Sequence, residues 1–466
     1  MDAAAYLTAR LFDLFVGDWD RHADQWSWAR FDEGKRHRWV PIPRDRDWAL
    51  TRLDGPLYGL LRLYLPKYQS FGETYGSVYG LTLSAEALDR RLLAGLSRPT
   101  WDSVTAELQL RLTDEAIDNA VARLPPEYQG KPTRELAWAL RLRRDRLPAV
   151  AATFYHQLAG TVEVRGTDAD ELLRVERLTD GSATVRVTPV GGREPVYSRR
   201  FSPQETGEVR VYLRGGSDSV WFDGSGPQPI KVRVVRGPGA APVADSTEVD
   251  ISPVLIPRDW GHLWSVAPWV EAAPEVGLLV GGGPVLYRYG FRRFPYQSRL
   301  ALRLGYATGA ARPNLDLTGD FRFQRPDVRV TLYAAALGAD LVRYYGLGNE
   351  TVVQGEGSFH RVVARELVLQ PGVEWEVVRD TVLGVGAMAK SLITDLDQAN
   401  LLALERPYGS GSFAEAGARL LARYDTRDDP VYPTSGVRLS ATAQYFPALF
   451  DVSGASGRCP GWPAPS

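Results

Sequence analysis

From about residue 275 onward the sequence alternates between two kinds of side chain with a period of two. Leu300, Leu302, Leu304 and Tyr306 stand on one side of an extended stretch, while Arg299, Ala301, Arg303 and Gly305 stand on the other, because successive side chains of a strand point to opposite faces. The pattern recurs. Leu315, Leu317, Gly319, Phe321 and Phe323 oppose Asp316, Thr318, Asp320 and Arg322, and Val373, Trp375 and Val377 oppose Glu374 and Glu376. Ala414, Ala416, Ala418, Leu420, Ala422 and Tyr424 oppose Glu415, Arg419 and Arg423, and Val437, Leu439, Ala441, Ala443 and Tyr445 oppose Arg438, Ser440, Thr442 and Gln444. A soluble sandwich would fill its inner face with Val, Ile and Phe. Here one face mixes Leu, Ala, Gly and aromatics, and the other carries charges of both signs. Strands of about ten residues with this division predict apolar groups toward lipid and polar groups toward a lumen. A water-soluble β-sandwich or solenoid is the competing reading.

Composition narrows the function classes. A net charge of −1 and a pI near 6.6 provide no basic field for nucleic acid or anionic lipid headgroups, so no nucleic-acid partner is expected. The single cysteine, Cys459, excludes an internal disulfide framework and a thiolate zinc site. Five histidines make histidine-rich metal binding a poor default. No run approaches the roughly 18 apolar residues of a membrane-spanning helix. The opening MDAAAYLTARLFDLFVG has acids inside its apolar stretch, unlike a secretory signal. If the chain needs export, the expectation is that it starts inside a longer protein.

The character of the sequence changes along its length. Residues 1–158 read as a mostly helical module. It opens with Tyr6, Leu7, Leu11, Leu14 and Phe15 near helical spacing, continues through the hairpin-like WSWARFDEGKRHRWVPIP, and ends in helices with a Thr113 cap and a break or kink at Pro148. Residues 160–255 switch to short β-runs, ATVRVTPV, EVRVYL and IKVRVVR, between glycine-rich turns. Residues 270–450 carry the alternating strands, about eight of them, and residues 451–466 form an irregular tail. The predicted class is multidomain α+β: a helical module, a small β-rich domain and a partial antiparallel transmembrane β-barrel. Because bare strand edges in hydrocarbon are costly, the strandless end DVSGASGRCPGWPAPS also predicts a barrel left incomplete at this end of the chain.

Two stretches bear a family resemblance. RYYGLGNET (Arg343 to Thr351) and ARYDTRDDPVYPTSGVRLSATAQYF (Ala422 to Phe446) resemble the carboxy-terminal barrel of the bacterial surface-antigen family, which includes the BamA and TamA outer-membrane assembly factors. In that family a strand ends in an Asp-x-Arg-x-x-Pro turn followed by Pro-x-x-Gly and the next strand. Asp425, Arg427, Pro430, Pro433 and Gly436 match it. The resemblance implies an outer-membrane location with a periplasmic amino-terminal region, and lipid and other envelope proteins as partners.

GDWDRHADQWSW, residues 17–28, packs charges among tryptophans. Charged and bulky aromatic groups are expensive to bury together, so the stretch points to chemistry or a polar network. In kinase-type phosphoryl transfer an Asp accepts the hydroxyl proton, an amide residue five positions later holds a metal, and a second Asp beyond a hairpin holds the metals bridging the phosphates. Here Asp20 is followed by Gln25, then the hairpin, then PRDRDWAL with Asp45 and Asp47. The order resembles the atypical kinases, the spore-coat kinase CotH with its Gly-Asn-Trp-Asp and Pro-Trp-Asp-x-Asp motifs and HipA with its Asp-Arg-His. The resemblance implies Asp20 as base, Gln25 and Asp45 as magnesium ligands and Asp47 as a second carboxylate. Gln25 replaces the usual Asn and lengthens the metal arm by a methylene. Only 19 residues precede Asp20, so the glycine-rich loop and lysine that hold ATP phosphates are not upstream of it here. Magnesium and ATP are therefore expected only in a complete parent protein, and this chain is expected to be inactive. The alternative to catalysis is a scaffold in which Asp20, Arg21 and Asp45 are buried partners of each other.

LRGGSDSVWFDG and VRGPGAAPVADS are similar to the calcium-binding glycine-aspartate repeats of secreted β-rolls. Asp218 and Asp223 are the candidate calcium ligands, but Ala240 and Ala241 stand where the second copy needs acids. Tight glycine turns in a periplasmic spacer are the ordinary reading. The function expected from these features together is an outer-membrane β-barrel protein with an attached kinase-like module. A barrel-tethered phosphotransferase of the cell envelope is the alternative.

Overall fold

The computed structural model describes residues 1–34, 36–236, 258–273, 277–291, 293–309, 311–324, 327–348, 351, 355–396, 399–427 and 434–458. The chain divides into two compact units, Met1–Pro257 and Arg258–Ser466. Together they make a mixed α+β protein with one large antiparallel sheet.

The first unit opens with α1 (Ala3–Val16), whose Asp2 side chain caps the amino end by accepting from Ala5 N. The predicted residues Tyr6, Leu7, Leu11, Leu14 and Phe15 are all buried. The hairpin follows as β1 (Trp26–Glu33) and β2 (Arg36–Pro43), in register from Trp26 opposite Pro43. Then come α2 (Pro56–Tyr64), α3 (Val78–Thr82), α4 (Glu86–Leu93), α5 (Arg98–Arg111), α6 (Asp114–Val121) and α7 (Lys131–Ala159). Thr113 caps α6 through Ala116 N.

Pro148 does not end α7, which runs unbroken on both sides of it. A proline leaves the carbonyl four residues earlier without its helical donor, and the Gln109 side-chain amide of α5 supplies one, reaching Arg144 O at 3.1 Å. Arg143, one turn earlier, caps another helix. Its guanidinium donates to Leu14 O and Phe15 O at 2.7 Å, two carbonyls at the carboxy end of α1, and to Gly72 O and Thr74 O. Helix-end carbonyls lack intrahelical donors and favour a cation.

Through Gly160, α7 passes directly into β3 (Thr161–Arg165), followed by β4 (Glu171–Arg177), β5 (Ala183–Pro189), β6 (Tyr197–Phe201), β7 (Glu208–Leu213), β8 (Ser219–Asp223) and β9 (Lys231–Arg236). The order is β3-β7-β9 in one sheet, all parallel, and β6-β5-β4-β8 in the other, where β4 and β8 are parallel. Aligned valines, Val162, Val209 and Val232, then Val164, Val211 and Val234, stack across β3, β7 and β9. They contribute to a core that also holds Leu173, Val175 and Phe201.

The second unit is a ten-stranded antiparallel sheet in strict sequence order. Its strands are β10 (His262–Ala273), β11 (Gly277–Gly290), β12 (Arg293–Ala307), β13 (Arg312–Gln324), β14 (Asp327–Arg343), β15 (Arg361–Val378), β16 (Thr381–Thr394), β17 (Ser412–Asp425), β18 (Arg438–Phe446) and β19 (Ser456–Arg458). A short helix, α8 (Leu401–Glu405), lies between β16 and β17. The sheet thus starts at His262, earlier than the expected residue 270, and β19 extends it into the segment read as tail. Among the described residues its two end strands, β10 and β19, do not pair, so no closed barrel is formed. At β11 the sheet is drawn tight. A Cβ on Gly281 would lie 2.1 Å from Leu304 O and one on Gly283 2.0 Å from Leu302 O, so only glycine permits this approach, as at the bends of strongly curved sheets. No helix among the described residues is long and apolar enough to cross a membrane, which says nothing about crossing by strands.

Candidate functional site

In the helical module a charged core is built on α1. The buried Asp13 carboxylate accepts from Arg10 Nη1 at 3.3 Å, Arg21 Nε at 3.1 Å and Arg46 Nε at 2.9 Å. Arg10 also grips Asp89 of α4 with two bonds of 2.9 and 3.1 Å, and the Tyr6 hydroxyl donates to the same carboxylate at 2.8 Å. A buried charge stripped of partners costs several kcal/mol, and these mutual pairings are what permit so many ionised groups inside one core.

Arg21 connects this core to the loops of the GDWDRHADQW stretch. Besides Asp13, it donates from Nη1 to Arg44 O at 2.6 Å and to Asp45 O, and from Nη2 to Gln25 O at 3.2 Å. The guanidinium also lies 4.7 Å from the centre of the Trp26 ring. A planar fork with five donors suits this task, since a single ammonium could not reach all of these acceptors. The hairpin register completes the closure: Trp26 pairs with Pro43, and Arg44 N donates to Gln25 O at 2.8 Å. The Asp20–Gln25 loop and the Asp45–Asp47 loop are therefore joined at the base of one hairpin.

Within this frame Asp20 is partly exposed, with its own N–H bonded to Asp18 Oδ1 at 3.2 Å. Gln25 Nε2 lies 3.4 Å from His22 Nε2. Asp45 adopts a left-handed backbone, φ 43°, rare for a residue with a side chain. Its Oδ1 accepts from Asp47 N at 3.3 Å, and both carboxylates are exposed. The scaffold alternative required Asp20, Arg21 and Asp45 to be mutually buried; only Arg21 is fully buried, and its bond to Asp45 goes to the backbone oxygen. Among the described residues no three His, Cys, Asp or Glu side chains gather as a metal-holding group.

Asp18 escaped the sequence reading. It is 1% exposed, and burial, reinforced by the neighbouring Asp13 charge and opposed by Arg21, pushes its carboxyl up to about 6. Its Oδ2 lies 3.6 Å from Arg21 Nη1. Asp13 and Arg10 were legible in principle, since both fall on the apolar stripe of α1 among Leu7, Leu11 and Leu14, where an unpaired charge would not be tolerated.

In the small β-domain the two calcium candidates are engaged by the protein. Asp218 Oδ1 accepts from Glu171 N at 3.0 Å, and Asp223 pairs with Arg174. Ala240 and Ala241 lie outside the described residues.

The large sheet places the alternating residues as two opposed faces. By register, Leu300, Leu302 and Leu304 stand beside Gly319, Leu317 and Leu315. The same face continues through Leu332, Ala334 and Ala336, then Leu369 and Leu367, then Ala389, Val385 and Leu383, then Leu420 and Ala422, to Ala443 and Ala441. Its large side chains are open: Leu304 is 59% and Leu420 57% exposed. On the opposite face Asp316 is only 3% exposed, and charges pair across strands. Arg303 bonds Asp316 at 2.9 Å, Arg329 bonds Asp320 at 3.0 Å and Glu374 at 3.3 Å, Arg423 reaches Glu374 at 3.5 Å, and Lys390 meets Glu366 at 2.7 Å.

The turn after β17 has a defined geometry at the motif residues that are described. The Asp425 carboxylate accepts from Arg427 Nε at 2.8 Å and Nη2 at 2.9 Å. Thr426 N donates to Val437 O at 3.0 Å, and Gly436, at φ 96°, brings its Cα where any Cβ would lie 2.3 Å from Thr426 O. Pro430 and Pro433 lie outside the described residues. The sequence matches no protein-family model and no curated protein.

Proposed function

We propose that the second unit is a wall segment of an outer-membrane β-barrel of the surface-antigen type, carrying the first unit on its periplasmic side. The observation that supports this reading is the inverted distribution of its faces. Large apolar side chains are exposed on one face of strands β10 to β13 and β15 to β18, while charges on the other face are partly buried and paired. In water such a face would be a large exposed apolar patch; in hydrocarbon it is the lower-energy arrangement, and the ion pairs line a lumen. Topology agrees with a periplasmic first unit. The chain enters β10 at the end where β11 joins β12, β13 joins β14 and β15 joins β16 by short turns and β17 joins β18 by a longer one, while the longest connections, from β14 to β15 and from β16 to β17, are at the other end, an asymmetry of the kind usual for bacterial barrels. The test is fractionation of the chain expressed with its native upstream sequence. Outer-membrane residence resistant to alkaline extraction is expected; release into the soluble periplasm would defeat the assignment.

A second reading is favoured by the loop geometry on Arg21: the first unit as the carboxy-terminal lobe of an envelope phosphotransferase. Asp20 would take the hydroxyl proton, and Gln25 and Asp45 would hold magnesium together with phosphate oxygens. Transfer of this kind also requires a phosphate-cradling loop and a lysine. Calorimetry of the chain together with whatever native sequence precedes it is expected to show magnesium-dependent ATP binding. There, Asp45→Ala should abolish the metal-dependent part and Asp20→Ala should spare binding but remove transfer. Absence of binding by the extended protein rejects this reading.

A further inference from the structure

We propose that Asp13 and Arg46 form a positioning clamp that ties the Asp20–Gln25 loop and the Asp45–Asp47 loop to a single anchor on α1. This inference rests on the phosphotransferase reading for its purpose, though its mechanics do not. The geometry is specific. Asp13 Oδ2 takes Arg21, whose remaining donors hold the backbone of Gln25, Arg44 and Asp45, and Asp13 Oδ1 takes Arg46, the residue between the two acids of the second loop. One fully buried carboxylate thus receives a guanidinium from each loop. Asp20 is half-buried and Asp45 exposed, and the other ion pairs described for the two loops, Arg21 with Asp18 and His22 with Asp20 and Asp24, are internal to the first of them and tie it to nothing else. Phosphoryl transfer depends on the relative placement of the base and the metal ligand, and small displacements are expensive. A shared anchor makes the loops move together, so their separation is conserved even when the segment as a whole shifts.

Hydrogen–deuterium exchange on the full chain tests the clamp without any activity. Arg46 is one-third exposed, so Arg46→Gln is a milder change than Asp13→Asn, whose loss of a buried charge threatens folding. Arg46→Gln should accelerate exchange several-fold in residues 17–25 as well as in residues 44–50, with Arg46→Lys restoring part of the protection. Arg52→Gln is the control, because Arg52 is exposed and, among the described residues, its ion pair is with Asp54. Faster exchange confined to residues 44–50, or unchanged exchange in both loops, overturns the clamp. In the protein extended by its native upstream sequence, Arg46→Gln should lower kcat several-fold at unchanged KM for ATP. A wild-type protein without transfer rejects the phosphotransferase reading, while the exchange result still decides whether the clamp exists.

Discussion

Replacing Asp18 by Asn should stabilise the first unit, and by an amount that depends on pH. The carboxyl is 1% exposed and held at about 6 against an ordinary 3.8. Its charged form is therefore disfavoured in the folded state. For an acid whose value is raised by folding, stability is fullest when the group is protonated and falls as pH climbs from the unfolded value through the folded one. From the two values, the penalty is about 0.5 kcal/mol at pH 4, about 1.5 at pH 5 and about 3 at pH 8. Asn cannot ionise, yet it keeps an oxygen for the Asp20 N–H now bonded to Asp18 Oδ1. Urea unfolding of the full chain in micelles, followed by tryptophan fluorescence, reads the effect, because Trp19 and Trp26 are buried near this carboxyl. Asp18→Asn should raise the first unit's stability by about 3 kcal/mol at pH 8, with the advantage shrinking to about half at pH 5. An advantage equal at both pH values, or a destabilised variant at pH 8, would show that Asp18 is a well-satisfied carboxylate and that burial does not dominate its titration.

Arg143→Ala should cost about 3 kcal/mol or more in the same assay, since four carbonyls lose a buried donor; a loss under about 1 kcal/mol would mean that water replaces the guanidinium. On the sheet, Leu302→Arg should impair membrane insertion by about 2 to 4 kcal/mol, whereas Ser440→Arg, on the charged face, should be tolerated. Equal tolerance at both positions removes the membrane assignment. Gly384→Val should reduce the fraction of chain that runs as a compact, heat-modifiable species on gels, because its Cβ would sit 3.1 Å from Glu374 Cγ and 3.3 Å from Leu421 Cβ, where Arg423 now crosses to Glu374. Full heat-modifiability in that variant would show that the ion pairs across β15 to β17 are dispensable.

What the sequence disclosed and what it concealed divide along a physical line. The strands were legible because their pattern is local: Leu300, Leu302 and Leu304 announce a face whatever lies beside them, and the register merely extends that face from strand to strand. Strand β10 was harder, for its opposite face carries Leu263 and Trp269 beside charged Glu271, so the alternation is blurred. Pro148 misled for the converse reason. Its local effect, a carbonyl without a donor, is real, but Gln109, 39 positions away, supplies the missing bond. The sequence contains the amide and gives no sign that it lies there.

The same limit governs the site. Asp20, Gln25 and Asp45 could be singled out because their order along the chain carries a resemblance, and the hairpin between them is short enough for its closure to be anticipated. Asp13 could not be assigned by that route. Its role exists only because Arg10, Arg21 and Arg46, from a helix and two loops, converge on it, and Arg10 is in turn held by Asp89. Arg21, Arg46 and Asp89 taken singly would be read as solvated surface residues. Their burial is favourable only jointly, since an ion pair withdrawn from water is repaid by geometry and by further hydrogen bonds. Arg10 and Asp13 lying on the apolar stripe of an amphipathic helix is the trace this network leaves in sequence, and a charge at such a position signals that partners must arrive from elsewhere in the fold. The large sheet obeys the same rule on a larger scale: Glu374 is tolerable on a half-buried face because Arg329 and Arg423 meet it from either side.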